Sequence, residues 1–342
     1  MKRILTAILA GLMLISLSAC GNTSSNETPT PPAGTSAEQE PTAPEETENT
    51  PPSESPTVYM TTDISPEGLQ AVYDALGWQP TGSVAVKLST GEAGNNYYLS
   101  PDLIKDLVQS VDGTIVECNT AYGGSRASTA MHLQVAEDHG FTAIADVDIM
   151  DAEGTMELPV EGGTHLQQNL VGSHFADYDS FLVLSHFKGH AMGGFGGAIK
   201  NISIGIASSN GKNRIHTAGD SDTAFTSLEQ DPFLESMAEA AKSVSDSLGH
   251  GENIVYISVM NHLSVDCDCD GNPAEPDMHD IGILASTDPV ALDQACVDLV
   301  YAAEDGASLI ERIESRNGIH TLEHAEAIGL GSRTYELVSL DD

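Results

Sequence analysis

Basic residues are scarce in this chain: 13 Lys and Arg stand against 51 Asp and Glu, a formal charge of −38. That balance excludes nucleic acid as a partner, because phosphate backbones are held by a Lys/Arg footprint. It equally excludes charge-driven docking on anionic lipid. Aromatic residues amount to 5%, with the single tryptophan Trp78, too few for an aromatic carbohydrate platform. Neither G-x-S-x-G nor H-E-x-x-H occurs, which disfavours a serine hydrolase and a zincin, and there is no Walker A loop or full dinucleotide fingerprint. By composition this is an acidic globular protein that handles cations, metals or neutral small molecules.

The one long apolar run lies at the start. Lys2-Arg3 precedes the uncharged stretch Ile4 to Leu17, and Leu17-Ser18-Ala19-Cys20-Gly21 follows. The run is short and gives way to polar sequence, so residues 1–19 read as a signal peptide rather than a membrane span. Small residues before Cys20 resemble a lipobox, which implies cleavage before Cys20, its lipidation and N-acylation, and a stable anchor in the cell membrane on the extracytoplasmic side. The bland alternative is an ordinary secretory signal with an incidental cysteine. Residues 20–57 hold that cysteine and a linker with eight of the chain's 16 prolines, seven Glu and no large apolar residue before Val58. Such a composition cannot bury enough surface to offset ordering entropy, so the linker is expected to be extended and disordered.

Residues 58–342 read as a single α/β domain without internal repeats, a mostly parallel or mixed sheet with helices on both faces. Strands are expected over 83–88, 114–118, 143–149, 180–185, 254–259 and 281–285. Helices are expected over 101–111 after Ser100, 127–139 ended by Gly140, 165–171, 231–248, and 289–303 capped by Asp288. Residues 198–206 are ambiguous. In such sheets chemistry gathers in the loops at the carboxyl ends of strands, and those loops hold the unusual residues.

Several of those loops resemble a known family. The segments FKGHAMGGFGGAIKNISIGIAS, ECNTAYGGSR, CDC and DIGILASTDPVALDQACVDLV are similar to the bacterial and archaeal family called domain of unknown function 362, in the expected order across nearly all of 83–330. Many relatives add a ferredoxin-type segment. No cysteine follows Cys296 here, so that iron–sulfur motif does not carry over, and the family name supplies no reaction.

The residues themselves suggest one. Cys267-x-Cys269 offers two thiolates to one soft metal, a redox-active disulfide, or two inert thiols. His186 and His190 share the HxxxH spacing of many metal sites, although Gly189 weakens a helical reading; the bland alternative is a strand-end cap and a satisfied loop polar group. Together with Cys118 these form the candidate metal set for Zn or Fe, with Asp280 and His279 as weak additions. Lys188 and His190 are the candidate catalytic pair. Gly193, Gly194, Gly196 and Gly197, with Lys200 and Arg126, form a candidate cofactor or anion cradle of backbone amides and charge; its alternative is a tightly packed turn. Cys296 reads as a buried small hydrophobe. Cys118, His186, His190, Cys267 and Cys269 are expected to meet at one edge of the sheet. The function this supports is a metal-dependent or redox enzyme acting on a small molecule, the alternative a non-catalytic surface lipoprotein that binds a metal or ligand.

Overall fold

The computed structural model describes residues 55–225 and 229–341. The expected signal peptide, Cys20 and the expected linker up to residue 54 lie outside them. In chain order the strands are β1 (Thr57–Thr61), β2 (Val84–Lys87), β3 (Thr114–Glu117), β4 (Val147–Ile149), β5 (Thr155–Pro159), β6 (Gln168–Gly172), β7 (Ser180–His186), β8 (Lys188–His190), β9 (Gly194–Gly196), β10 (Ile254–Met260), β11 (Gly282–Ser286) and β12 (Glu336–Ser339). The helices are α1 (Pro66–Ala75), α2 (Pro101–Ser110), α3 (Thr129–Asp138), α4 (Ala198–Ser203), α5 (Ser209–His216), α6 (Gln230–Ser247), α7 (Pro289–Ala302), α8 (Ala307–Ser315) and α9 (His320–Ala327).

The apolar strands build one mixed sheet in the order β12-β1-β11-β10-β7-β2-β3-β4. The run from β10 to β4 is parallel, and β11 is antiparallel to both its neighbours. Side chains along β7 alternate between the two faces, as the pleat requires. Phe181 and Val183 join one core with α4, α6, α7, α8 and α9, while Leu182 and Leu184 join the other with α1, α2 and α3. Both faces are thus covered, which is why SFLVLS is apolar throughout.

Three local expectations change. Residues 165–171 do not form a helix: Gln168–Gly172 is a strand that pairs with Thr155–Pro159, a long-range pairing that window-by-window periodicity does not see. Strand 143–149 shortens to Val147–Ile149, because Phe141–Ala143 makes a 3-10 turn after Gly140 in the left-handed conformation. β1 opens at Thr57, inside the stretch assigned to the linker, and the Pro56 carbonyl accepts from Glu336 N–H at 2.9 Å. Asp288 caps α7 as expected, its carboxylate accepting from Val290 and Ala291 N–H. The ambiguous residues after Gly197 form the short helix α4.

Topology then places the site. From β2 the chain steps outward through β3 to β4, and returns to lay β7 on the other side of β2. The crevice at such a reversal, outside the carboxyl ends of the strands, is where open α/β sheets bind ligands. The ends meeting there are Lys87 of β2, Glu117 of β3 and His186 of β7.

Candidate active site

A cavity of about 180 Å³ opens at that crevice. Its lining takes Lys87 from β2, Glu117 and Cys118 from the end of β3, His186 from β7, His190 from β8, Lys200 and Asn201 from α4, Lys212 and His216 from α5, and the loop Cys267-Asp268-Cys269. Cys118, His186, His190, Cys267 and Cys269 therefore do share one sheet edge.

What they do there differs. Cys267 and Cys269 are joined as a disulfide. One His190 ring nitrogen and both sulfurs lie within 4.8 Å of one another, which makes these three a compact donor group among the described residues. The loop reaches the hairpin β8–β9 because Gly189 has no side chain: a Cβ there would stand 2.5–2.7 Å from the Val265 backbone. Nδ1 of His190 accepts from Gly193 N–H at 2.9 Å. Burial, with Lys200 and His216 nearby, pushes this imidazole well below its usual range, so the ring is neutral with its proton on Nε2.

His186 is excluded from the donor group by its hydrogen bonds. Nδ1 faces Asp268 Oδ2 at 2.9 Å and Nε2 faces the Asn261 carbonyl at 2.9 Å. Both partners are acceptors, so neither nitrogen is left to a metal. The HxxxH spacing spans the end of β7 and the hairpin, not a helix face. Cys118 is also apart from the group: its thiol donates to the Ile206 carbonyl at 3.1 Å, and burial pushes it up to about 12. Cys296 is buried, as expected.

Lys188 likewise does not serve as the pocket's lysine. It is 1% exposed, donates to the Tyr97 carbonyl at 2.6 Å and pairs with Asp268 at 3.0 Å. Burial alone would raise the Asp268 carboxyl, and His186 and Lys188 together outweigh it and hold it low. This His186–Asp268–Lys188 group braces the disulfide loop from behind. The lysines on the cavity are Lys87, Lys200 and Lys212, and burial with the neighbouring Lys87, Arg126 and Lys212 pushes Lys200 down to about 8.

The glycine cradle does not form either. Gly193 falls in the turn of the β8–β9 hairpin and Gly194 opens β9 opposite His190, and of the four only Gly196 and Gly197 reach the cavity. The first amides of α4 are already taken, Ala198 and Ile199 donating to Asp293 at 2.7 and 3.0 Å. Gly197 is small because a Cβ would meet that carboxylate at 2.2 Å. Arg126 is spent internally: its guanidinium bridges Glu92 and Glu117, each at 3.3 Å. Burial alone would raise Glu117, and Arg126 with His132 holds it well below the carboxylate range.

The family model described as Domain of unknown function (DUF362) matches residues 84–298, more than half of the chain and all of the strands that build this cavity. The chain belongs to the DUF362 family. No curated protein matches it in sequence. Among solved structures this DUF362 chain is similar to the lactate racemase apoprotein from Thermoanaerobacterium thermosaccharolyticum, at 15% identity and a TM-score of 0.42, covering 71% of this chain and 56% of that one. It is similar also to a protein from Thermotoga maritima, at 13% identity and a TM-score of 0.39, covering 77% and 58%. It spans little more than half the length of either, and likeness at this level speaks for no substrate or cofactor.

Four lining residues of the DUF362 site escaped the sequence reading. Lys87 carried a signal, being a lysine inside the apolar strand SVAVKLS, where a base is rarely buried without a purpose. Glu117, at the end of TIVE, carried the same one. Lys212 and His216 sit in the polar segment SNGKNRIH, and nothing in its pattern separates them from surface residues.

Proposed function

We propose that this cleft is the active site of an extracytoplasmic redox enzyme acting on a small molecule, anchored to the membrane through Cys20. One observation carries the reading: a disulfide in the cavity wall with a neutral imidazole within 4.8 Å of both sulfurs. An incoming small thiolate attacks one sulfur and breaks the Cys267–Cys269 bond. A second thiol resolves the mixed disulfide, leaving two protein thiols and the reagent as its own disulfide. Neutral His190, within 4.8 Å of both sulfurs, is placed to give the departing thiolate a proton and to take it back when the pair reoxidises.

The test is a thiol count on the unfolded chain, purified without reductant, before and after brief exposure of the folded protein to glutathione. The count is expected to rise by two. No rise would leave the disulfide a staple and favour the non-catalytic alternative, a ligand-binding surface lipoprotein.

The donor set supports a second reading, in which the reduced Cys267, Cys269 and His190 hold Zn or Fe. Two thiolates and an imidazole suit either metal, but Nδ1 of His190 would first have to surrender its bond from Gly193. Elemental analysis of the anaerobically reduced chain separates the two: about one metal per chain, lost when both cysteines become Ser, would favour the metal. The anchor has its own check, since Cys20→Ala is expected to release the protein from membranes.

A further inference from the structure

Three lysines on the cavity have no carboxylate in ion-pair contact among the described residues. Lys87, Lys200 and Lys212 lie on its lining, and among the described residues none of the three forms an ion pair. Lys87 donates to the Leu88 carbonyl at 2.6 Å and to Asn201 Oδ1 at 2.9 Å, and Lys212 donates to the Ala207 carbonyl at 2.5 Å. The Lys200 ammonium has no hydrogen-bond partner among the described residues, although its carbonyl accepts from Gly205 N–H and the Ser203 hydroxyl.

The composition makes this pattern informative. With 51 acids to 13 bases, a base lining a cavity without an acid is unexpected. Arg126, Lys188, Arg214, Lys242, Arg312 and Arg333 each do reach one, and the two other described bases that do not, Lys105 and Arg316, are exposed. The two carboxylates on the same lining are already matched, Glu117 by Arg126 and Asp268 by His186 and Lys188. Three like charges held in a poorly solvated cleft repel one another, and their field is weakly screened there. Burial together with that repulsion pushes Lys200 down to about 8, and burial pushes Lys87 down to about 8 although Glu117 pulls the other way. An anion of more than one charge relieves both penalties at once, and lysine ammonium groups suit phosphate as point charges.

We propose that Lys87, Lys200 and Lys212 form the seat of a small, multiply charged oxyanion, a phosphorylated or dicarboxylate molecule, held beside the Cys267–Cys269 disulfide. This deepens the reading of the cleft as an active site and rests on it, but not on the disulfide being the redox centre. A chain whose composition argues for cations or neutral ligands thus turns its few spare bases onto one anion. The cavity, about 180 Å³, restricts the occupant to a small molecule.

The experiment is calorimetric titration of the full chain with inorganic phosphate, and in parallel with succinate, at low ionic strength. At least one anion is expected to bind saturably, and more weakly as salt is raised. Lys200→Met should weaken that binding about tenfold or more, the scale of a lost charged hydrogen bond, while Lys105→Met on the exposed face of α2 leaves it unchanged. Phosphate alone binding assigns a phosphorylated ligand, and succinate alone a dicarboxylate. Should Lys200→Met fail to fold, protection of Lys200 from acylation by the bound anion, read by mass spectrometry, replaces it. Binding of neither anion, binding unaltered in a folded Lys200→Met, or no protection of Lys200 would overturn the proposal. The glutathione thiol count on the same samples keeps the two readings apart, since the disulfide can respond normally where no anion binds, and the reverse.

Discussion

Lys188 and Lys200 are twelve residues apart in one glycine-rich motif, and the fold treats them in opposite ways. Behind the disulfide loop, Lys188 meets Asp268 at 3.0 Å, His186 meets the same carboxylate at 2.9 Å, and Arg312 meets Asp266 at 3.2 Å. Along the wall built by β2, α4 and α5, the lysines find carbonyls, an amide oxygen or nothing. The first region uses charge as architecture, where each base is cancelled by a specific acid. The second leaves charge uncancelled, and uncancelled buried charge is unstable unless something else supplies the counter-charge. The comparison separates residues that hold the site from residues that face its ligand.

The largest expected effect lies on the paired side. Arg126→Met should destabilise the fold by about 3–5 kcal/mol, because Glu117 is left buried against His132 and the Thr90 groups alone. Denaturant unfolding reads it, and a loss under 1 kcal/mol would mean that the network is only decorative. Lys188→Met should cost less, about 2–3 kcal/mol, since His186 still answers Asp268, and phosphate affinity should survive it. A variant that stays stable but no longer binds phosphate would erase the distinction drawn between the two lysines.

Replacing Cys267 and Cys269 together by Ser should change stability by under about 2 kcal/mol, because the disulfide closes only a minimal loop. Its main effect should be to abolish the two-thiol increment with glutathione. A large loss of stability would make the disulfide a staple.

The smallest effect runs the other way. The Lys200 ammonium sits at about 8 in the folded chain against 10.5 unfolded, so below pH 8 folding must hold a charge that burial disfavours. Lys200→Met should therefore stabilise the anion-free protein by about 1–2 kcal/mol at pH 7. The gain should fade as pH rises from about 8 towards 10.5, where the unfolded chain also loses the proton. Thermal unfolding of both proteins across that range checks it, and a gain independent of pH would trace to packing instead of charge.

Much of the sheet was legible. SFLVLS, IVYISV and TIVE read as strands because both faces of a covered sheet demand apolar residues, and Asp288-Pro289 announced α7 through its cap. The β5–β6 pair was not legible, because Thr155–Pro159 and Gln168–Gly172 stabilise each other and neither has a strong pattern alone. At the site, CDC and His190 stood out correctly as neighbours. His186 and Lys188 stood out for the same reason of composition, yet their partner Asp268 lies 82 and 80 residues further on in the sequence, where no spacing rule could connect them.

Sequence alone thus determined the alternation of strands and helices, the acid excess, and which loops would carry unusual residues, because those depend on local periodicity and on sums over the chain. Tertiary structure decided which nitrogen, sulfur and ammonium groups remain unspent. That depends on pairings such as Arg126 with Glu92, Ile199 with Asp293 and Lys188 with Asp268, each made between distant segments that only the packed sheet brings within reach. A charge buried without such a partner is costly in a medium that screens poorly, so the fold reveals its ligand surface as the cavity-lining bases left over once every internal pair is made.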